Sequence, residues 1–310
     1  MTKKLIISLI IGIVIIWLLL SSINPGDIPK TIAGIPPKYL IFAFVLYTIS
    51  VFLKSLRFKI ILSTGIKIRN IFPIVSLYMF FANILPMRAG ELSYMYLLKK
   101  EDKTPGAKSF ASLVIGAVAD IVIIAIAMLI IGWHLRTELV NNFSSLNFST
   151  DRFTFRFFIL IATILIMLAA AGIAVGKLSY MSVIRQKLKE IIDELKKVNF
   201  DLSLIKIILI SALIIFFRFL TQWYLVRSME VSIGVWEFSF ALIFGVFFSL
   251  IPIHGPAGFG TVEAPWVLAL MYLNVSKDDA IISGFALHIL IMLFCIILGI
   301  YGAVSIKLLK

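Results

Sequence analysis

The sequence predicts an all-α polytopic membrane protein with six full spans, two re-entrant broken-helix hairpins in an inverted repeat, and both termini cytoplasmic. Three observations carry this reading. Of the 310 residues, 61% are hydrophobic and only 15% charged, and the mean hydropathy is +1.07, far outside the range of soluble domains. The lysines gather in short clusters beside apolar runs, as they do in cytoplasmic loops that face anionic lipid. Two of the apolar runs are interrupted by proline, glycine and ionisable residues, where a helix at membrane depth cannot continue.

The formal charge of +13 therefore belongs to a lipid surface, and a nucleic-acid partner is excluded. The single Cys295 lies in an apolar run, which leaves neither a disulfide framework nor a thiolate metal site. The longest polar connection is about 30 residues, too short for a folded soluble domain of usual size. Residues 1–310 are expected to form a single integral membrane domain.

Lys3 and Lys4 precede an apolar run from Leu5 to Leu20 that no small-residue cleavage site follows, so it is read as a retained first span rather than a signal peptide. Asn24-Pro-Gly turns the chain outside, and Tyr39 to Leu56 brings it back to a basic cluster of Lys54, Arg57, Lys59, Lys67 and Arg69. Ile71 to Leu85 is too short to cross, at roughly 22 Å of helix against a hydrocarbon core of about 30 Å. Pro86-Met-Arg-Ala-Gly-Glu91 interrupts it, and a short arm leads to Leu98 and a second basic cluster. Lysines on both sides of the interruption argue for a hairpin, residues 71–98, that returns to the side it left.

Phe110 to Trp133 crosses outward with Asp120 near its middle, and Phe157 to Val175 returns. The lysine-rich segment 177–206 carries apolar residues at Ile184, Leu188, Ile191, Ile192 and Leu195, the spacing of an amphipathic helix on the cytoplasmic surface. Leu204 to Val226 goes outward with Arg218 inside it. The second broken hairpin, residues 238–273, enters from the outside, and Ala280 to Val304 completes the chain. This topology puts 20 of the 29 Lys and Arg on the cytoplasmic side, while the sequons at Asn142, Asn147 and Asn274 fall outside.

Span, broken hairpin, span describes residues 38–133 and again, with opposite orientation, 204–304. Gly116-x-x-x-Asp120 in one half answers Gly284-x-x-x-His288 in the other. Interrupted segments at corresponding places in inverted halves point to a transport site near the bilayer midplane.

Two motifs carry a resemblance. Asn83-x-x-Pro86-x-Arg88-x-Gly90-Glu91 and Pro252-x-x-x-Pro256-x-Gly258-x-Gly260-x-x-Glu263 resemble the signature motifs of the flippase-like membrane region of lysylphosphatidylglycerol synthases, and the likeness runs from about residue 5 to 305. Tyr94 departs from it where many relatives carry arginine, and Ala257 where glycine is common. The aminoacyl-transferase domain of some relatives has no counterpart in these residues, so a stand-alone member is expected. The resemblance implies movement of a polar or charged lipid between leaflets of the plasma membrane.

Ionisable residues in spans cost about 2.5 to 3.5 kcal/mol each even on the lenient insertion scale. The candidate transport-binding residues are Asn83, Pro86, Arg88, Gly90 and Glu91 of the first motif, Asp120 and Arg218 of the spans, Pro252, His254, Gly258, Gly260 and Glu263 of the second, and His288. Arg88 and Arg218 are expected to hold phosphate. Glu91 and Glu263 would receive a cationic headgroup or a proton, with His254 and His288 suited to titrate near neutral pH. Structural pairing is the competing reading: Arg88 with Glu91, or Arg218 with Asp120 or Glu263.

The partners implied are membrane lipids of charged-headgroup or polyprenyl phosphate type, with a homo-oligomer or a lipid-synthesis enzyme as further partners. No cofactor or metal is implied. An intramembrane enzyme acting on a lipid phosphate or glycolipid is the main rival, although no H-E-x-x-H or G-x-S-x-G appears. A non-transporting scaffold for a lipid-modifying partner is the third reading.

Overall fold

The computed structural model describes residues 2–85, 90–137, 202–249 and 256–308. Among these residues every regular element is helical. The first helix, α1, is Thr2–Leu20, close to the expected first span. The Asn24 side chain then accepts the Gly26 N–H at 3.1 Å, and the turn feeds a short helix α2, Asp27–Gly34, which buries Ile28 against the last helix. Sequence reading gave no helix there.

Helix α3, Pro37–Leu62, opens on Pro37, where a missing N–H costs nothing. It closes at Ser63 in the left-handed conformation, φ 48°. It runs six residues past the expected end at Leu56, so Arg57 and Lys59 belong to the helix and not to a loop. There follow α4 (Ile68–Ile84), α5 (Gly90–Asp102), α6 (Gly106–His134), α7 (Leu202–Ser228), α8 (Val235–Ser249), a single 3₁₀ turn (Pro256–Gly258), α9 (Glu263–Tyr272) and α10 (Lys277–Leu308).

Helical segments of 26, 29, 26 and 32 residues in α3, α6, α7 and α10 are long and apolar enough to cross a membrane. At 1.5 Å per residue they measure about 39 to 48 Å against a core of about 30 Å. The chain is a multi-pass membrane protein. The expected span Phe157–Val175 and residues 177–201 of the amphipathic segment lie outside the described residues, and residues 202–206 form the head of α7.

The interrupted runs behave differently from the spans. Helices α4 and α5 have 17 and 13 residues, α8 and α9 have 15 and 10, so each measures about 15 to 26 Å and falls short of the core thickness. Gly90 abuts the backbone of Ala82, and the Tyr94 ring sits 5.3 Å from Tyr78. Both contacts join residues equally far from the break, so α4 and α5 run antiparallel. In the second pair, Phe238 near the head of α8 meets Trp266 of α9 at 5.6 Å, which brings the chain back along itself.

Small residues let these short helices pack closely on the spans. Along α10, a Cβ on Gly299 would stand 2.6 Å from Phe80 Cβ, and one on Gly302 would stand 2.6 Å from the Pro73 carbonyl oxygen. Helix α4 therefore lies directly on α10, and α3 lies along α7. Tyr94, fully buried, anchors α5 by packing on Phe58 at 4.7 Å and sharing a 3.1 Å hydrogen bond with Ser112 of α6.

Candidate functional site

Both broken segments end on one cavity of about 440 Å³, within the usual size of a small-molecule site. From the first segment come Ala82, Asn83, Leu85 and Glu91, and from the second α8, the 3₁₀ turn and α9, including Ala257, Gly258, Val262, Glu263 and Trp266. Arg218 and Gln222 of α7 and Gly284 and His288 of α10 complete the polar part of the wall. Helix α4 touches the turn at Pro256–Gly258, so the two segments meet beside the cavity.

The second break is built from backbone that a helix cannot use. Ala257, Gly258 and Gly260 all have positive φ, at 53°, 79° and 80°, a region open to glycine and costly for alanine. This turn points the Gly260 N–H at Glu263, whose Oε2 accepts it at 2.7 Å. The other carboxylate oxygen, Oε1, lies 2.6 Å from Nδ1 of His288. Glu263 is fully buried and the His288 side chain is 10% exposed. Glu263 also opens α9, and Glu91 stands in the first turn of α5. A carboxylate is favoured at both places by the positive end of the helix dipole.

Gly284, one helical turn before His288, makes room for Trp266: a Cβ there would stand 2.8 Å from its ring. In α6 the same spacing does the same work. Gly116 admits Arg57, whose Nη2 would lie 3.0 Å from an added Cβ. Arg57 then grips Asp120 through both guanidinium nitrogens, Nη2 to Oδ2 at 3.1 Å, and Nη1 donates to Ser211 Oγ of α7 at 2.7 Å. A bidentate pair of this kind fixes geometry as well as charge.

Of the residues singled out in the sequence, Asn83, Glu91, Arg218, Gly258, Glu263 and His288 line the cavity. Asn83 anchors itself by donating to the Met79 carbonyl at 2.7 Å. Gly90 is the close-packing residue of the first pair, and Gly260 supplies the backbone donor to Glu263 while resting against the Gly12 carbonyl of α1. Asp120 lies off the cavity. Pro86, Arg88, Pro252 and His254 lie outside the described residues.

The structural pairings expected for Arg218 are replaced. Asp120 is taken by Arg57 and Glu263 by His288, and among the described residues no carboxylate pairs with Arg218. Arg57 is the residue that sequence reading misplaced, as one of a basic cluster at the cytoplasmic surface. It is 1% exposed, and the signal that pointed to it was the glycine one turn before Asp120. Lys54 is likewise turned inward, its Nζ 3.2 Å from Met79 Sδ and 5.3 Å from the Tyr78 ring.

Comparison with known proteins agrees with the motifs. The chain is 26% identical over 301 residues to the UPF0104 membrane protein MJ1595 of Methanocaldococcus jannaschii, covering 90% of this chain and 88% of that protein. Residues 5–299 match the family described as the lysylphosphatidylglycerol synthase TM region. A match that takes in three of the long apolar helices whole, most of α10 and both broken segments places the chain within that family.

Proposed function

We propose that this protein moves lipids with a polar or charged headgroup, of phospholipid or polyprenyl phosphate type, between the leaflets of the plasma membrane. The headgroup enters the cavity while the acyl or isoprenoid chains stay in the bilayer. The observation that carries the reading is the cavity itself, whose wall combines two interrupted helix pairs with Arg218, Glu91 and the Glu263–His288 pair. Irregular backbone at membrane depth is tolerated only where protein buries it or a wet cavity meets it.

In this reading the two helix pairs are re-entrant hairpins from opposite faces, related by an inverted repeat of residues 38–133 and 204–304, in a six-span fold with cytoplasmic termini. The repeat is supported by the order of elements and by the matching glycine-to-ionisable spacing at Gly116/Asp120 and Gly284/His288. Arg218 is the phosphate-holding cation of the cavity, with Arg88 as its counterpart in the first motif. The backbone donor at the second break is already taken by Glu263, which puts the weight of anion binding on the arginines. Glu91 receives the cationic part of a zwitterionic or aminoacylated headgroup.

The test is headgroup exchange between leaflets in proteoliposomes. The wild type is expected to speed exchange, and the Glu91→Gln, Glu263→Gln double variant to abolish it while still extracting as a folded, monodisperse protein. Exchange at the wild-type rate in the double variant removes the glutamates from the mechanism.

A further inference from the structure

Glu263 is placed where it cannot serve as the headgroup's partner. It is fully buried, and both of its oxygens are engaged, one by the Gly260 N–H at 2.7 Å and the other by His288 Nδ1 at 2.6 Å. A carboxylate that accepts the Nδ1 proton fixes the imidazole's tautomer and orientation and leaves Nε2 as the working nitrogen. That nitrogen has no hydrogen-bond partner among the described residues. Gly258 stands beside it, where a Cβ would meet Cε1 at 3.6 Å and Nε2 at 3.8 Å, ordinary contact distances. Phe259 covers the ring face at 4.5 Å, so the open edge of the imidazole belongs to the cavity that His288 lines.

We infer that the Glu263–His288 pair is a proton-binding site linked to anion binding, with His288 Nε2 as the atom that gains and loses the proton. The inference rests on the lipid-handling reading of the cavity and names its coupled ion. With the proton bound, Nε2–H donates to an oxygen of a phosphodiester anion that Arg218 also holds. When the proton leaves to water, Nε2 becomes an acceptor and the anion loses that donor. Glu263 is the positioning residue: its charge stabilises the imidazolium and its geometry aims it.

The surrounding charges fit this assignment. Facing the cavity with His288 are Glu91 from α5 and Arg218 from α7. Arg57 of α3 and Asp120 of α6 are bound to one another, Lys54 of α3 sits on Met79 and Tyr78 of α4, and Asp27 and Lys30 of α2 form an exposed pair. Arg218 disfavours a second positive charge, and an anion between it and the imidazolium removes that penalty. Proton and anion therefore raise each other's affinity by the same factor, as linkage requires.

The test uses glycerophosphoglycerol, the deacylated headgroup of phosphatidylglycerol, whose phosphodiester stays monoanionic throughout the range used. Calorimetric titration of the full-length protein in maltoside micelles, run in buffers of different ionisation enthalpy, counts the protons taken up per anion bound. The expected result is uptake of close to one proton per anion bound, and binding about tenfold tighter at about pH 5.5 than at about pH 8. His288→Gln, and separately Glu263→Gln, should flatten the pH profile. The proton count on the wild type stands even if a variant fails to fold.

A parallel arm with phosphatidylglycerol in nanodiscs distinguishes a lipid headgroup from a free phosphodiester as the ligand, since proton-linked binding in either arm alone identifies the source. No binding in either arm, or binding with no proton uptake and a flat profile in the wild type, overturns the inference. The second of these results leaves the lipid-exchange assay to stand on its own. Proton-linked binding without lipid exchange in vesicles upholds the site and contradicts the transport reading instead.

Discussion

Ala257 lines the cavity at a position where the chain turns with φ 53° and ψ 17°. An alanine held there gives up about 1 to 2 kcal/mol relative to right-handed backbone, whereas glycine does not. Ala257→Gly should therefore stabilise the folded protein by about 1 kcal/mol, after the extra entropy of a glycine in the unfolded chain is deducted. Thermal unfolding of the detergent-extracted protein reads this as a higher midpoint, and an unchanged or lower midpoint contradicts the left-handed turn. Glu263 and His288 were each legible from sequence as ionisable groups that a membrane would not tolerate without reason. Their pairing was not, because 25 residues separate them and hydropathy patterns do not tell which way a side chain points. Arg57 illustrates the reverse failure: a long cationic side chain at the end of a span usually reaches for the interface, and here Gly116 gave it a way inward.

At the scale of elements, the Arg57–Asp120–Ser211 cluster ties α3, α6 and α7 together one helical turn from Ile124 and Ile215 of the cavity wall. Asp120→Asn leaves the 2% exposed Arg57 side chain without its counter-charge, a change that in buried pairs costs about 3 to 5 kcal/mol. The partial exposure of Asp120 puts the expected loss at the lower end. Replacing both residues, as Arg57→Met with Asp120→Leu, should recover most of it, and a double-mutant cycle on unfolding midpoints checks the coupling. The α4–α10 contact makes a separate prediction. Gly302→Leu must displace the Pro73 carbonyl and should destabilise by at least about 1 to 3 kcal/mol through overpacking. The breaks in the two short-helix pairs were readable because proline and glycine act locally on the backbone. Helix α2 was not, since 8 residues carry too little periodicity to stand out from a loop.

For the whole molecule, two interrupted segments, remote in sequence, converge on one chamber whose largely apolar wall carries a few charged and polar groups. Three of the four long helices, α6, α7 and α10, contribute to its wall, and the chamber draws Arg218, Glu91 and the Glu263–His288 pair from four different elements. Composition made the membrane class plain, and the motif pair made the family plain. The chamber's real membership depended on packing that no single segment encodes, which is why Asp120 stood among the candidates and Gln222 did not. The most direct measurement places a photoreactive benzoylphenylalanine at Gln222, on the chamber wall, and separately at Leu213, 45% exposed on the same helix. Mass spectrometry of the cross-linked products in native membranes then identifies the lipid atoms each probe captures. The account predicts headgroup adducts at Gln222 and acyl-chain adducts at Leu213, while acyl chains or no lipid at Gln222 would contradict a chamber that takes in headgroups.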